Sequence, residues 1–345
     1  MIKYIGSKRL LVSQITQIVD ALPDVQRVTD LFSGTSRVGM AIKRSGRFVR
    51  SNDHNHYAHM LGQCHVAADA EVWTEQATEL LSHLEKAPDC DGWFTQTYCR
   101  DSRFFHPDNG IRIEGIRNEL DQLDLEAPLR AIATVALMEA ADRVDSTTGV
   151  QMAYLKQWAA RALKPIQLRL PELLPGPGEA TRMKAIDAIK LPADLVYMDP
   201  PYNQHVYHSN YHIWETLVRW DQPEVYGIAR KRIDCKGRKN PYNSKRAIAQ
   251  AMDELIGNCT APYMVVSFNN EGFLTQTQIE SMLAKKGAVE VLSVDHPRYV
   301  GARIGIYNPK GKKVGKVSHT KNKELLFVVT PDDALLNPIR EMAAN

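Results

Sequence analysis

No C-x-x-C pair occurs in these 345 residues, and the five cysteines (Cys64, Cys90, Cys99, Cys235 and Cys259) are scattered and odd in number. That argues against a cysteine zinc site and a disulfide framework, and for reduced thiols in a cytosol. Long apolar runs are missing as well, so the expectation is a cytoplasmic chain that is neither secreted nor membrane-spanning. Internal repeats and low-complexity tracts are absent. Net charge is small, +3, which permits nucleic-acid binding without requiring it. What is present, 44% hydrophobic and 24% charged residues, is globular composition with length for one large domain or two.

The most informative stretch is Leu195-Val196-Tyr197-Met198-Asp199-Pro200-Pro201-Tyr202-Asn203. Leu195 to Met198 reads as a buried strand. Pro200 and Pro201 carry no N–H and stop it. Asp199 then stands at the carboxyl end of a strand, where open α/β sheets bind ligands. An ionised carboxylate only accepts hydrogen bonds. Beside it lie a backbone carbonyl and the flat ring of Tyr202. Together they suit an exocyclic amino group on a planar base. The tetrapeptide Asp199-Pro200-Pro201-Tyr202 resembles the catalytic motif of amino-group methyltransferases that use S-adenosylmethionine (AdoMet).

Upstream, Val28 to Phe32 reads as a strand, Ser33 to Gly39 as a small-residue turn, and the following residues as a helix ending near Gly46. A second strand, Phe48 to Asn52, ends at Asp53, 23 residues beyond Asp30. Strand, glycine turn, helix and a spaced acid form the first nucleotide-binding unit of a doubly wound sheet. Gly34 lets backbone approach a ligand closely. Before this unit, Gly6 to Arg9 is a basic turn leading into a helix from about Leu10 to Leu22.

Lys3 to Lys8, Asp30 to Thr35, Asn52 to Asn55 and Asp199 to Tyr202 occur in that order. This arrangement resembles the D12 class of DNA adenine-N6 methyltransferases, the α-group that includes the Dam-type enzymes. The resemblance implies an α/β fold: a Rossmann-like AdoMet-dependent methyltransferase sheet with helices on both faces and an inserted, mainly helical target-recognition domain. It implies AdoMet contacts from Tyr4, Lys8, Asp30, Phe32, Gly34, Asp53 and Asp199, and catalysis by Asp199, Pro200, Pro201 and Tyr202, with no metal. Two departures stand out. Tyr4 occupies a position where the family often has Trp, and Ser36 one where it often has a second Gly. Asp187 lies where the family places a polar residue near the cofactor's adenine.

By this reading residues 1–55 and 186–335 form the catalytic domain and 56–185 an insertion. Ala68 to Leu84 and Ile111 to Val144 have helical periodicity, and Pro165 to Gly178 reads as a linker. Trp214, Leu217, Val218 and Trp220 suggest an apolar helix face packing under the site. His205, His208 and His212 lack the partners of a metal motif and read as surface or DNA-facing. Ala229 to Arg246 holds eight Lys or Arg and only Asp234 as an acid. That clustering marks Arg230, Lys231, Arg232, Lys236, Arg238 and Lys239 as phosphate ligands. Lys310 to Lys323 holds six lysines, among them Lys312 and Lys313, and reads as a basic hairpin arm.

The reaction expected is methyl transfer to N6 of adenine in a specific double-stranded DNA sequence, with the base flipped into the pocket. RNA adenine-N6 methylation, or a DNA-binding protein with a vestigial pocket, stands as the alternative. The recognition sequence, and whether a cognate restriction endonuclease accompanies the enzyme, are left open by the residues.

Overall fold

The structure is a computed structural model that describes residues 1–297, 306–307, 313–315 and 321–344. Eleven strands follow in chain order among the described residues: β1 (Arg27–Asp30), β2 (Phe48–Asn52), β3 (Gly178–Thr181), β4 (Leu195–Met198), β5 (Val225–Tyr226), β6 (Lys231–Arg232), β7 (Tyr263–Asn269), β8 (Ala288–Pro297), β9 (Ile306–Tyr307), β10 (Lys313–Gly315) and β11 (Lys321–Thr330). The chain divides into two compact units. The first comprises Met1–Lys8, Gln26–Ala188 and Val206–Lys239; the second comprises Arg9–Val25, Ile189–His205 and Asn240–Asn345.

In the first unit β3, β2 and β1 run parallel in that order. Val28, Thr29 and Val49 are fully buried, as β-branched residues in a covered parallel sheet should be. The Arg37–Lys43 helix links β1 to β2. β3 reads Gly-Glu-Ala-Thr and is half-buried along its length. Lacking an apolar pattern, it escapes sequence reading, which puts the return to the sheet later, at Thr181 to Asp187. Glu179 Oε2 accepts from Arg50 Nε at 2.8 Å across the β2–β3 pair.

The helical region packs in the same unit as β1 and β2. Asp69 accepts from Glu71 N at 3.0 Å and caps the Ala70–Leu84 helix. The periodic stretch from Ile111 to Val144 is two helices, Pro107–Gln122 and Ala127–Arg143, with Pro128 in the second one's first turn. From Ala131 to Asp142 the second helix is buried on every face. Its small and apolar residues therefore form no single stripe. Phe94, Phe104, Phe105, Trp214 and Leu217 share this helical core. Trp214 and Leu217 lie in the same apolar cluster as Tyr57 and Tyr211, with Tyr4 and Tyr207 packed against it.

In the second unit the order is β4-β7-β11-β8. β4 and β7 are parallel with Leu195 opposite Tyr263 and Met198 opposite Val266, while β11 is antiparallel to both β7 and β8. All four residues of β4 and all seven of β7 are buried, and β4 and the first four residues of β7 are continuous apolar runs. Thr275 and Gln278 form a capping box on the Gln276–Leu283 helix. β9 and β10 form a separate antiparallel pair. Strands and helices together make the expected α/β, Rossmann-like methyltransferase architecture. Among the described residues no helix is long and apolar enough to cross a membrane.

Candidate active site

The first unit holds a cup built on the β1 and β2 tips. Asp30 is 1% exposed, and its Oδ2 accepts from Gly39 N at 3.1 Å. A carboxylate so placed complements the positive end of the Arg37–Lys43 helix from beneath. Asp30 therefore helps to shape the turn. Gly34 adopts φ 51°, and a Cβ there would lie 3.2 Å from the Tyr4 ring. The position therefore demands glycine twice over, by backbone conformation and by crowding. Ser36 has φ 58° and is fully buried. Left-handed backbone costs a side chain about 1–2 kcal/mol, and this explains why glycine suits the position. A 2.9 Å hydrogen bond between the Ser36 and Ser51 hydroxyls offsets part of that cost. Phe32 is half-buried beside the turn and Lys8 is buried in a short 3-10 turn.

Asp53 closes the cup. Its Oδ2 accepts from Gly34 N at 3.1 Å, and its Oδ1 from Asn55 N at 2.8 Å and Asn55 Nδ2 at 3.0 Å. Burial nevertheless pushes its pKa above the ordinary aspartate value. Tyr4 forms the wall. Its ring stacks on Tyr211 at 4.6 Å and on Tyr207 at 5.2 Å, both at 14°. Its hydroxyl lies 3.2 Å from that of Tyr57, and Tyr211 Oη accepts from Ile5 N at 2.6 Å. Burial raises the Tyr4 and Tyr57 phenols, so both stay neutral. Tyr57, Tyr207 and Tyr211 were not singled out in the sequence, although the four-residue spacing of Tyr207 and Tyr211 was a usable signal.

The second unit carries the tetrapeptide on the tip of β4. Pro200 is buried; Asp199, Pro201 and Tyr202 are partly accessible. Tyr202 O accepts from Phe273 N at 2.9 Å, and its ring lies 5.2 Å from Phe268. Asn243 Nδ2 donates to Asn203 O at 2.6 Å and His205 O at 3.0 Å, clamping the chain that leaves the motif. Burial, then the charges of Glu324, Asp199 and Glu271, raise the Tyr202 phenol. Glu324 is buried, and accepts from Asn269 Nδ2 at 3.2 Å and Ser267 Oγ at 3.4 Å. The end of this half-sheet is thus rich in acceptors, which suits an amino group. Asn243 and Glu324 act through pairings distant in sequence, and no local pattern marks them. Asp187 is exposed in the Ala185–Ala188 helix.

The cations of the basic segment do different work. Arg232 is 1% exposed, with its guanidinium on Asp221 at 2.6 and 2.8 Å and on Asp234 at 3.0 Å. A buried and fully paired arginine is a structural tie, which corrects its reading as a phosphate ligand. Arg230 pairs with Asp101 at 3.1 Å. Arg238 donates to His208 Nδ1 at 2.6 Å. Lys236 and Lys239 are exposed, and Lys231 is half-buried. Lys312 lies outside the described residues; of Lys313 only the backbone, in β10, is described.

His208 and His212 are buried, contrary to a surface or DNA-facing role. Burial lowers the pKa of His212 to about 3, leaving it neutral, and its Nε2 lies 2.9 Å from Gln151 O. His208, Asp234 and Cys235 bring ligand atoms within 4.8 Å of one another. Asp234, however, already faces the guanidinium groups of Arg232 and Arg219, which supply the positive charge a metal ion would bring. Glu215 is fully buried. It binds His56 Nδ1 at 2.6 Å and accepts from Tyr57 N at 3.2 Å, fixing the segment just beyond Asp53.

A glycine turn under an aromatic wall, an acid on the second strand and an Asp-Pro-Pro-Tyr strand tip define a nucleotide-cofactor methyltransferase. The chain belongs to the D12 class of N6 adenine-specific DNA methyltransferases, matching that family over residues 4–279. It is 27% identical over 338 residues to the Type II methyltransferase M.NlaIII of Neisseria lactamica, covering 93% of this chain and 99% of that protein. It is 28% identical over 361 residues to the Type II methyltransferase M.FokI of Planomicrobium okeanokoites, covering 98% of this chain and 54% of that one. The modification methylase StsI of Streptococcus sanguinis is 27% identical, with 88% and 49% covered. The chain therefore spans about half the length of the last two relatives. Methyltransferases of this class take their methyl group from AdoMet and act on DNA.

Proposed function

We propose that this enzyme methylates N6 of adenine within one specific double-stranded DNA sequence, on a base flipped out of the helix. The observation that carries the reading is the pinned β4 tip: Tyr202 is held by its carbonyl and its ring while Asp199 stands at the strand's end. Asp199 Oδ and the Pro200 carbonyl accept the two amino hydrogens of the flipped adenine, and Tyr202 stacks on its ring. Two acceptors in that geometry draw the nitrogen lone pair out of ring conjugation and stabilise the charge that develops on it. The proton leaves toward the Asp199 carboxylate or water once the N–C bond has formed.

The cup around Gly34 fits AdoMet. In this reading Gly34 keeps the turn free of a side chain, Asp53 takes the ribose hydroxyls, and Tyr4 and Lys8 take the methionine end; the bond between Gly34 N and Asp53 Oδ2 supports it. Bound AdoMet supplies a sulfonium methyl group to an attacking amine without a metal. Lys231, Lys236 and Lys239 take DNA phosphates, and the region 56–185 contributes target recognition. The names of the relatives, as Type II and modification methylases, support a role beside a cognate restriction endonuclease. Asp199→Ala tests the site. We expect kcat to fall about 100-fold or more with cofactor binding retained in part; unchanged kcat contradicts the assignment.

A further inference from the structure

Asn55 stands at the N-cap of the His56–Gly62 helix. From that position an asparagine side chain ordinarily accepts from the second or third N–H of the helix. Here it makes no such bond. Its Nδ2 donates instead to Asp53 Oδ1 at 3.0 Å, and its backbone N–H reaches the same oxygen at 2.8 Å. The cap comes from 158 residues away: Tyr57, the helix's second residue, donates its N–H to Glu215 Oε2 at 3.2 Å. Glu215 Oε1 accepts from His56 Nδ1 at 2.6 Å. All these residues belong to the first unit.

Glu215 is fully buried in the first turn of the His212–Arg219 helix. Burial works against its charge, yet the bond from His56, the neighbouring His208 and the Tyr57 N–H hold its pKa below the ordinary glutamate value. It is therefore an ionised carboxylate that only accepts. With the helix end capped from outside, the Asn55 side chain is released to Asp53. The same contacts reach the aromatic wall. Tyr57 Oη lies 3.2 Å from Tyr4 Oη, and Glu215 N donates to the carbonyl of Tyr211, whose ring stacks on Tyr4, at 3.2 Å.

We propose that Glu215 is a positioning residue for the cofactor. By capping the helix in place of Asn55, it frees Asn55 to hold the Asp53 carboxylate toward the ribose of AdoMet. This rests on the reading of the cup as the AdoMet site. It adds to that site a residue that touches no part of the cofactor and acts through Asp53.

The test measures AdoMet affinity by titration calorimetry on the intact enzyme. Glu215→Met keeps the volume and removes the acceptor, so the uncapped Tyr57 N–H competes for Asn55. We expect the Kd for AdoMet to rise about tenfold. The KM for AdoMet should rise with it while kcat at saturation holds, the pattern of lost ground-state binding. Glu215→Gln keeps a carbonyl for the Tyr57 N–H and should recover most of the loss. In an Asp53→Ala background, Glu215→Met should add about twofold or less. Asn55→Ala leaves the cap in place. It should weaken AdoMet binding about as much as Glu215→Met while the urea midpoint stays at the wild-type value. That arm stands even where Glu215→Met does not fold. Equal losses from Glu215→Met with and without Asp53, or wild-type AdoMet affinity in Asn55→Ala, overturns the positioning role and leaves the cup as the cofactor site. Wild-type affinity in Asp53→Ala overturns that reading of the cup, and the role of Glu215 with it.

Discussion

Gly34 and Asp53, 19 residues apart, are joined by a 3.1 Å hydrogen bond from backbone N–H to carboxylate oxygen. The bond ties the two strand tips that frame the cofactor cup. It also orients the carboxylate proposed to hold ribose. Replacing Asp53 by Ala should weaken AdoMet binding about tenfold or more, the order expected for losing charge-assisted hydrogen bonds. Burial raises the Asp53 pKa. Binding that needs the ionised form should therefore fade with falling pH earlier than an ordinary aspartate would allow. Titration calorimetry across pH checks both, and Asp53→Asn should flatten the profile. A profile unchanged by Asn contradicts the role.

Arg232 and Lys236 make opposite predictions, although both lie in the same basic run. Arg232→Ala strips a buried guanidinium from two carboxylates and should cost about 3 kcal/mol or more of stability. Lys236→Ala should leave stability alone. It should reduce the slope of log affinity for DNA against log salt by about 1. Denaturant melts and salt-dependent DNA binding separate the two. A salt slope altered by Arg232→Ala in still-folded protein would return that residue to the DNA interface.

Asp142 anchors the N-terminal segment by accepting from Lys3 N at 3.1 Å. Burial raises its pKa to about 6, which the Lys3 charge moderates and Asp145 reinforces. Its value in the unfolded chain is about 4. Between those values the folded state holds more proton than the unfolded one. Its contribution to stability therefore falls as pH rises from about 4 to about 6 and is level above. The full swing is at most about 3 kcal/mol. Urea midpoints at several pH values should show a steeper fall in the wild type than in Asp142→Asn. Parallel curves contradict this account.

Asn243 holds the carbonyls of Asn203 and His205, directly after the tetrapeptide proposed to be catalytic. Asn243→Ala should loosen Tyr202 and reduce kcat about tenfold, with little change in the AdoMet KM. A change in KM alone would mean that the clamp serves binding.

Much of this was legible in the sequence, and for local reasons. β4 and most of β7 are apolar runs, β1 and β2 are marked by the glycine turn and the acid that follow them, and Gly34, Asp53 and Asp199-Pro200-Pro201-Tyr202 stand out by residue type and spacing. The misses share a different cause. β3 depends on pairing with β2, 129 residues away through Arg50 and Glu179, and its own residues say little. Glu215 meets His56 across 159 residues, and Arg232 is neutralised only when the fold delivers Asp221 and Asp234. Charge clustering cannot tell a buried tie from an exposed phosphate ligand.

The measurement that tests the central claim most directly is incubation with tritiated AdoMet and mixed-sequence duplex DNA, followed by nucleoside analysis. The account predicts label in N6-methyldeoxyadenosine, lost with Asp199→Ala. Label confined to structured RNA, or to a deoxynucleoside other than N6-methyldeoxyadenosine, would contradict it.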